Sequence, residues 1–283
     1  MSQISIDNVF KIYPTPTTHV VALQAINLEI APGALVGLVG QSGAGKTTLL
    51  RLVGGLEKPS AGDILVNDRS VPHLTNGEKR AYWQRDISFV WAETSRNLLP
   101  YLSIFENVRR CCVVAGGANS GQCAAELLAA VALQDKMHHT PDQLEYMDCQ
   151  LAAIAKVVAR HPALILADEP AKGLTDDATQ TIYQALYHLA REQGITVMLT
   201  AETLPAGVWQ GDVLGLHQGI LIEAVIDDQN LPTRINAQID QRGRLQLPAA
   251  LLQQLNIDTQ ISLDPTDDYL KISHHLRSER STS

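Results

Sequence analysis

Apolar residues along this chain fall into two kinds of run. Residues 34–39 (ALVGLV), the first five of 163–170 (ALILADEP) and residues 196–200 (TVMLT) are short and nearly uninterrupted, the pattern of strands buried in a core. Residues 48–53 (TLLRLV), 124–133 and 151–158 instead carry apolar side chains at helical spacing, which predicts core-facing helices. Beyond about Asp228 the character changes. Residues 237–272 alternate apolar and polar positions with period two, Gly243 falls in a turn, and Pro248 opens a short amphipathic stretch with Leu251, Leu252 and Leu255. The chain therefore predicts a large α/β part, residues 1–228, followed by a small, mainly β domain, residues 229–283, built as hairpin, helix and hairpin.

Composition agrees with this division. A chain of 283 residues with 45% hydrophobic content suffices for a large α/β core plus an appendage. No apolar stretch reaches membrane-spanning length, and the start, MSQISIDNVF, lacks a basic leader followed by an apolar segment. A cytoplasmic protein is expected. The four cysteines, Cys111, Cys112, Cys123 and Cys149, have neither CxxC spacing nor zinc-ligand histidines beside them, so reduced structural thiols are expected. The His138-His139 and His274-His275 pairs are read as surface residues.

Candidate chemistry lies where the first strand run ends. Residues 40–48 read GQSGAGKTT, a complete GxxxxGK[ST] phosphate loop between a predicted strand and a predicted helix. Gly40, Gly43 and Gly45 are expected to let the backbone turn tightly and aim its N–H groups inward, with Gln41, Ser42, Ala44 and Thr48 completing the cradle. Lys46 is expected to reach the β and γ phosphates of a nucleoside triphosphate, and Thr47 to offer its hydroxyl to Mg²⁺. In isolation, Asp168-Glu169-Pro170 reads as a solvated turn after a core strand. Paired with the phosphate loop, Asp168 becomes the Mg²⁺ carboxylate and Glu169 the group that orients or deprotonates the attacking water.

These two motifs, in this order, resemble the ATP-binding cassette of an ABC transporter, and the resemblance runs from residue 1 to about 225. Other stretches share in it: residues 21–29 with Ala31-Pro32-Gly33 before the loop, residues 58–64 after it, and Asn97-Leu98-Leu99-Pro100 through Glu106-Asn107-Val108. The match is closest to cassettes serving lipoprotein-release and macrolide-export type permeases. It implies a P-loop cassette with a helical arm at about residues 92–160, ATP and Mg²⁺ as ligands, and Tyr13 stacking on adenine. It also implies a membrane permease as partner, with its contact near residues 91–108, and a second cassette as the other half of the working dimer. The location implied is peripheral, at the inner face of the cell membrane.

Several positions depart from the family pattern. The signature LSGGQ, which opens a helix facing the γ-phosphate of the partner's ATP, falls on Leu144, Glu145, Tyr146, Met147 and Asp148. Like charges about 5 Å apart at an effective dielectric near 20 repel by roughly 3 kcal/mol, so Glu145 or Asp148 is expected to oppose closure, with the bulk of Tyr146 and Met147 adding to it. The switch histidine is replaced by Ala201, the Q-loop reads Trp91-Ala92-Glu93, and the D-loop aspartate becomes Thr175 with Asp176 one place later. Residues serving nucleotide in cis are intact, whereas those serving the opposite site are not. The expected consequence is weak hydrolysis alone, or one asymmetric half of a heterodimer.

The last segment is not part of a cassette. Arg242-Gly243-Arg244-Leu245-Gln246-Leu247-Pro248 resembles the GRhxhP motif of the AbrB, SpoVT and MazE-type swapped-hairpin domain, which folds as an interleaved dimer. That resemblance also makes Arg242 and Arg244 candidates for DNA phosphate contacts, and an ATP-sensing DNA-binding regulator is the alternative to a transport subunit. Dimerisation is the preferred reading. Acidic residues slightly outnumber basic ones beyond Ile235, and the whole chain carries a formal net charge of -8, the opposite of a nucleic-acid binder's footprint.

Overall fold

The computed structural model describes residues 2–16, 18–116, 118–204, 209–226, 232–236, 262–265 and 270–273. Strands β1 (Ile4–Pro14) and β2 (His19–Ile30) form an antiparallel pair, β3 (Leu35–Val39) follows, and α1 (Lys46–Val53) begins directly after the glycine-rich loop. Next come β4 (Ala61–Val66), β5 (Arg69–Ser70), α2 (Asn76–Ala81) and β6 (Ile87–Val90). Three helices then follow, α3 (Ile104–Val114), α4 (Ser120–Ala130) and α5 (Tyr146–Val158). The chain continues through β7 (Leu164–Asp168), α6 (Asp176–Glu192), β8 (Thr196–Ala201), β9 (Asp212–His217), β10 (Ile220–Ile226) and β11 (Pro232–Asn236). Two further strands, β12 (Ser262–Pro265) and β13 (Leu270–Ser273), pair antiparallel with Leu263 opposite Ile272.

The main sheet has the order β11-β10-β9-β3-β8-β7-β6, and β9, β3, β8, β7 and β6 run parallel. A second, antiparallel sheet has the order β2-β1-β4-β5. Side chains of the central strands alternate between two cores. Ile165, Val197 and Leu199 pack into one core with α3, α5 and α6, whereas Val36, Leu38, Leu164, Leu166 and Met198 pack into the other with Leu49, Leu52 and Val53 of α1. Burial on both faces is why these strands read as unbroken apolar runs rather than as alternation. Parallel pairing also sends the loops after β3, β7 and β8 to the same edge of the sheet, where strand–loop–helix units of this class present their functional groups.

The predicted arm is a helical layer. Asn107, buried on α3, organises its entry: its carboxamide accepts from the Leu99 N–H at 2.7 Å and donates to the carbonyls of Leu99, Leu102 and Ser103. Ser103 caps α3 by accepting from the Glu106 N–H. The sulfurs of Cys112 on α3 and Cys123 on α4 face each other across the hairpin, whereas Cys111 and Cys149 are unpaired. Spacing rules did not reveal the pair because the α3–α4 hairpin, not local sequence, brings the two Cα atoms to 6.5 Å.

The chain divides into two units, residues 1–235 and 236–283. Arg242, Arg244, Gly243, Pro248, the expected first hairpin and the expected C-terminal helix lie outside the described residues. No helix among the described residues is long and apolar enough to cross a membrane. Asn107→Ala should lower the unfolding free energy by about 2–3 kcal/mol, because it strands buried backbone groups of the segment before α3; chemical denaturation of the purified variant measures this.

Candidate functional site

The loop of residues 40–45 leaves β3 and delivers the chain to α1. Gly43 and Gly45 take left-handed backbone, at φ 80 and 104, as the motif requires. Gly40 departs from that expectation. Its φ is not among the positive ones; glycine is needed there because a Cβ would lie 2.2 Å from the Leu216 carbonyl oxygen. Gln41 and Ser42 are exposed on the outer turn, while Ala44 is buried and its N–H donates to the Gln41 carbonyl at 3.1 Å. Helix α1 starts with neither a side-chain cap nor an acidic residue in its first turn. Its positive end therefore has no cap of its own, the arrangement that accepts an anion.

Lys46 is only 4% exposed. Its ammonium donates to the carbonyls of Gly40 at 2.6 Å and Gln41 at 3.2 Å, and it lies 3.3 Å from Glu169 Oε1. Thr47 donates its hydroxyl to Asp168 Oδ1 at 2.8 Å. The same carboxylate oxygen receives the Thr200 hydroxyl at 2.9 Å, and Thr200 Oγ1 in turn accepts from the Glu169 N–H at 2.9 Å. Thr200 lies directly across from Asp168 in the parallel register of β8 and β7. Its role was invisible in the sequence, since only that register places it beside the carboxylate.

Glu169 sits at φ 43, a left-handed conformation for a non-glycine residue. Such backbone costs on the order of 1–3 kcal/mol and persists where surrounding contacts over-determine it; the Thr200 hydrogen bond is one such contact. Its side chain lies between two ammonium groups, with Lys46 near Oε1 and Lys172 Nζ donating to Oε2 at 2.6 Å. Burial pushes the Glu169 carboxyl up, but the Lys172 hydrogen bond and the charges of both lysines outweigh it and hold the group below its usual range. Tyr13 stands beside the first turn of α1, its hydroxyl donating to Glu57 Oε2 at 2.6 Å and lying 3.5 Å from Thr48 Oγ1.

The phosphate loop, the paired acidic strand end and the parallel sheet that joins them agree with the comparison to known families. Residues 23–172 match the family described as ABC transporter. The chain belongs to the ABC transporter family. It is 36% identical over 208 residues to the lipoprotein-releasing system ATP-binding protein LolD of Myxococcus xanthus, covering 72% of this chain and 92% of the relative. With LolD 2 of Caulobacter vibrioides it shares 32% identity over 213 residues, 75% of this chain and 92% of that protein. Among solved structures it is similar to the dimeric, post-hydrolysis state of the ATP-binding cassette MJ0796 bound to ADP and Pi. There the TM-score is 0.66 at 30% identity, covering 76% of this chain and 95% of that one.

Positions expected to carry the signature and the Q-loop form a network of their own. Tyr146, at a signature position, donates its hydroxyl to the Ala92 carbonyl at 2.6 Å, and Gln150 Nε2 donates to the carbonyls of Trp91 and Ala92 and to Tyr146 Oη. The start of α5 is thereby tied to the segment that follows β6. Asp148 corrects an expectation: it is not a free charge at the helix start but is buried and paired with Lys136 at 2.6 Å. Met147 and Leu144 pack against the arm's core, so the bulk of Met147 is directed inward. Glu145, at the N-cap of α5, stays exposed without a capping bond, and Glu93 is exposed as well. Ala201 is buried, and its carbonyl accepts from the Gly40 N–H at 3.3 Å. Thr175 is the exposed N-cap of α6, followed by Asp176 and Asp177 in the first turn.

Thr200→Val keeps the shape but removes the group shared by Asp168 and the Glu169 N–H. It should lower stability by roughly 1–3 kcal/mol, measurable as a reduced denaturation midpoint.

Proposed function

We propose that this ATP-binding subunit of an ABC transporter holds MgATP between the loop of residues 40–48 and the end of β7, and couples it to a membrane permease. The observation that carries the reading is the link between the two halves of the site. Thr47 donates to Asp168 while the buried Lys46 lies beside Glu169, so both motifs converge on one space at the sheet edge. The residues fit the ligand: an uncapped helix start, a buried ammonium whose partners are loop carbonyls and one carboxylate, and a hydroxyl–carboxylate pair of the kind that takes an oxygen-preferring divalent cation. Thr47 and Asp168 would hold Mg²⁺, which when bound neutralises charge on the phosphate oxygens.

Within that assignment, Lys46 exchanges its carbonyl partners for phosphate oxygens, and the N–H groups of residues 41–48 line the phosphates. Tyr13 offers a ring face to adenine. Glu169 orients the attacking water and takes its proton, a role that needs the carboxylate ionised, as its lysine neighbours favour.

The partners follow from the asymmetry of the residues. The cis groups are present, whereas Leu144 to Asp148 carry no glycine to approach a facing nucleotide. We read the chain as one half of a dimer of cassettes. With a partner whose signature is intact, the site at Lys46 and Glu169 turns over, slowed by Ala201 in place of the switch histidine; in a homodimer, ATP is bound with little hydrolysis. The permease is of the type served by the lipoprotein-releasing relatives. To the segment beyond β11 we assign a role in strengthening dimerisation, on its resemblance to AbrB-like sequences alone.

Calorimetric titration of the purified chain should show MgATP binding that Lys46→Ala abolishes; undiminished affinity would refute the site. Glu169→Gln should bind as well as the parent and lose any steady-state phosphate release. Truncation after Asp228 should leave nucleotide binding in place and weaken self-association in analytical ultracentrifugation. An unchanged sedimentation profile would remove the dimerisation role from the C-terminal segment.

A further inference from the structure

We propose that Lys172 is a nucleotide-selecting residue that contacts the terminal phosphate of a nucleoside triphosphate, an inference that rests on the placement of MgATP given above. The Glu169 carboxylate is shared between two ammonium groups, Lys46 at Oε1 and Lys172 at Oε2, at 3.3 and 2.6 Å. One carboxylate spans only about 2 Å between its oxygens, so the two ammonium groups flank a single anion. In this arrangement Glu169 is the anion that both lysines hold.

The two lysines differ in freedom. Lys46 is enclosed at 4% exposure, whereas the Lys172 side chain is 61% exposed, on the turn after β7 whose Lys172 N–H donates to the Glu169 carbonyl at 3.1 Å. The backbone is therefore fixed while the long side chain can move from Glu169 to a nearby phosphate. The surrounding charge favours that exchange. Glu169 above all, with Glu202 and Asp168, acts on Lys172, so a polyanionic ligand entering here meets Glu169 and Glu202 beyond the Asp168 carboxylate that the assigned Mg²⁺ would occupy, with Lys46 as the enclosed cation. A second cation offsets repulsion that would otherwise oppose the terminal phosphate. Strand β8 supplies no competing donor from its last side chain, because that residue is Ala201, buried and with its carbonyl already bonded to the Gly40 N–H. A diphosphate lacks the group that Lys172 would contact, so the residue favours the triphosphate over the diphosphate.

The test compares MgATP and MgADP affinities of the full chain by calorimetry for the parent, Lys172→Ala and Lys172→Arg, and for Lys172→Ala in a Glu169→Gln background. Loss of a charge-assisted contact predicts about a tenfold weaker ATP affinity in Lys172→Ala with ADP affinity nearly unchanged. Lys172→Arg should restore ATP binding to near the parent value, and the loss should persist in the Glu169→Gln background. Equal weakening for both nucleotides, no weakening, or a loss that disappears once Glu169 is neutral would overturn direct contact. The last outcome would instead assign Lys172 to screening of Glu169. A parent chain that binds neither nucleotide would refute the MgATP reading itself, and the inference with it.

Discussion

Lys46 places an ammonium where solvent scarcely reaches, and a buried charge is tolerated only if it is paired and hydrogen-bonded. Two loop carbonyls and the Glu169 carboxylate meet that demand. Much of the surrounding geometry serves to keep those partners in place. Gly40 must approach the Leu216 carbonyl too closely for any side chain, and Glu169 must hold a left-handed backbone against the Thr200 hydroxyl. The Asp168 carboxylate, bound by hydroxyls from α1 and β8, ties the loop to the two strands that support it.

Residues near the start of α5 are held as firmly as those of the loop. Tyr146, Gln150, Asn97 and the carbonyls of Trp91 and Ala92 form one hydrogen-bonded cluster, and Lys136 neutralises Asp148 at its side. The start of α5 is thereby bound to the segment that follows β6 in the same chain.

How much of this was legible depended on how far apart in sequence the cooperating groups lie. The phosphate loop was readable because its glycines, Lys46 and Thr47 are contiguous and are flanked by a strand and a helix of clear periodicity. Asp168 and Glu169 were readable because an acidic pair at the end of a doubly buried strand complements such a loop. Asp148 was misread because its partner Lys136 comes from a separate turn, and Met147 because periodicity near a helix start does not show which side faces the core. Lys172 passed unnoticed since a lone lysine in a turn carries no pattern of its own.

The amino-acid order by itself determined the doubly buried strands, the glycine-rich turn, and the identity and spacing of the groups on it, because these follow from local backbone sterics and from which side chains avoid water. Tertiary structure alone decided that Thr200 braces Asp168, that Lys172 shares Glu169 with Lys46, that Tyr146 holds the Ala92 carbonyl, and that Cys112 meets Cys123. Each of these depends on the register of parallel strands, the course of a turn or the packing of helices. Such contacts join residues whose separation along the chain leaves no periodic trace, and they exist only once the apolar faces have closed.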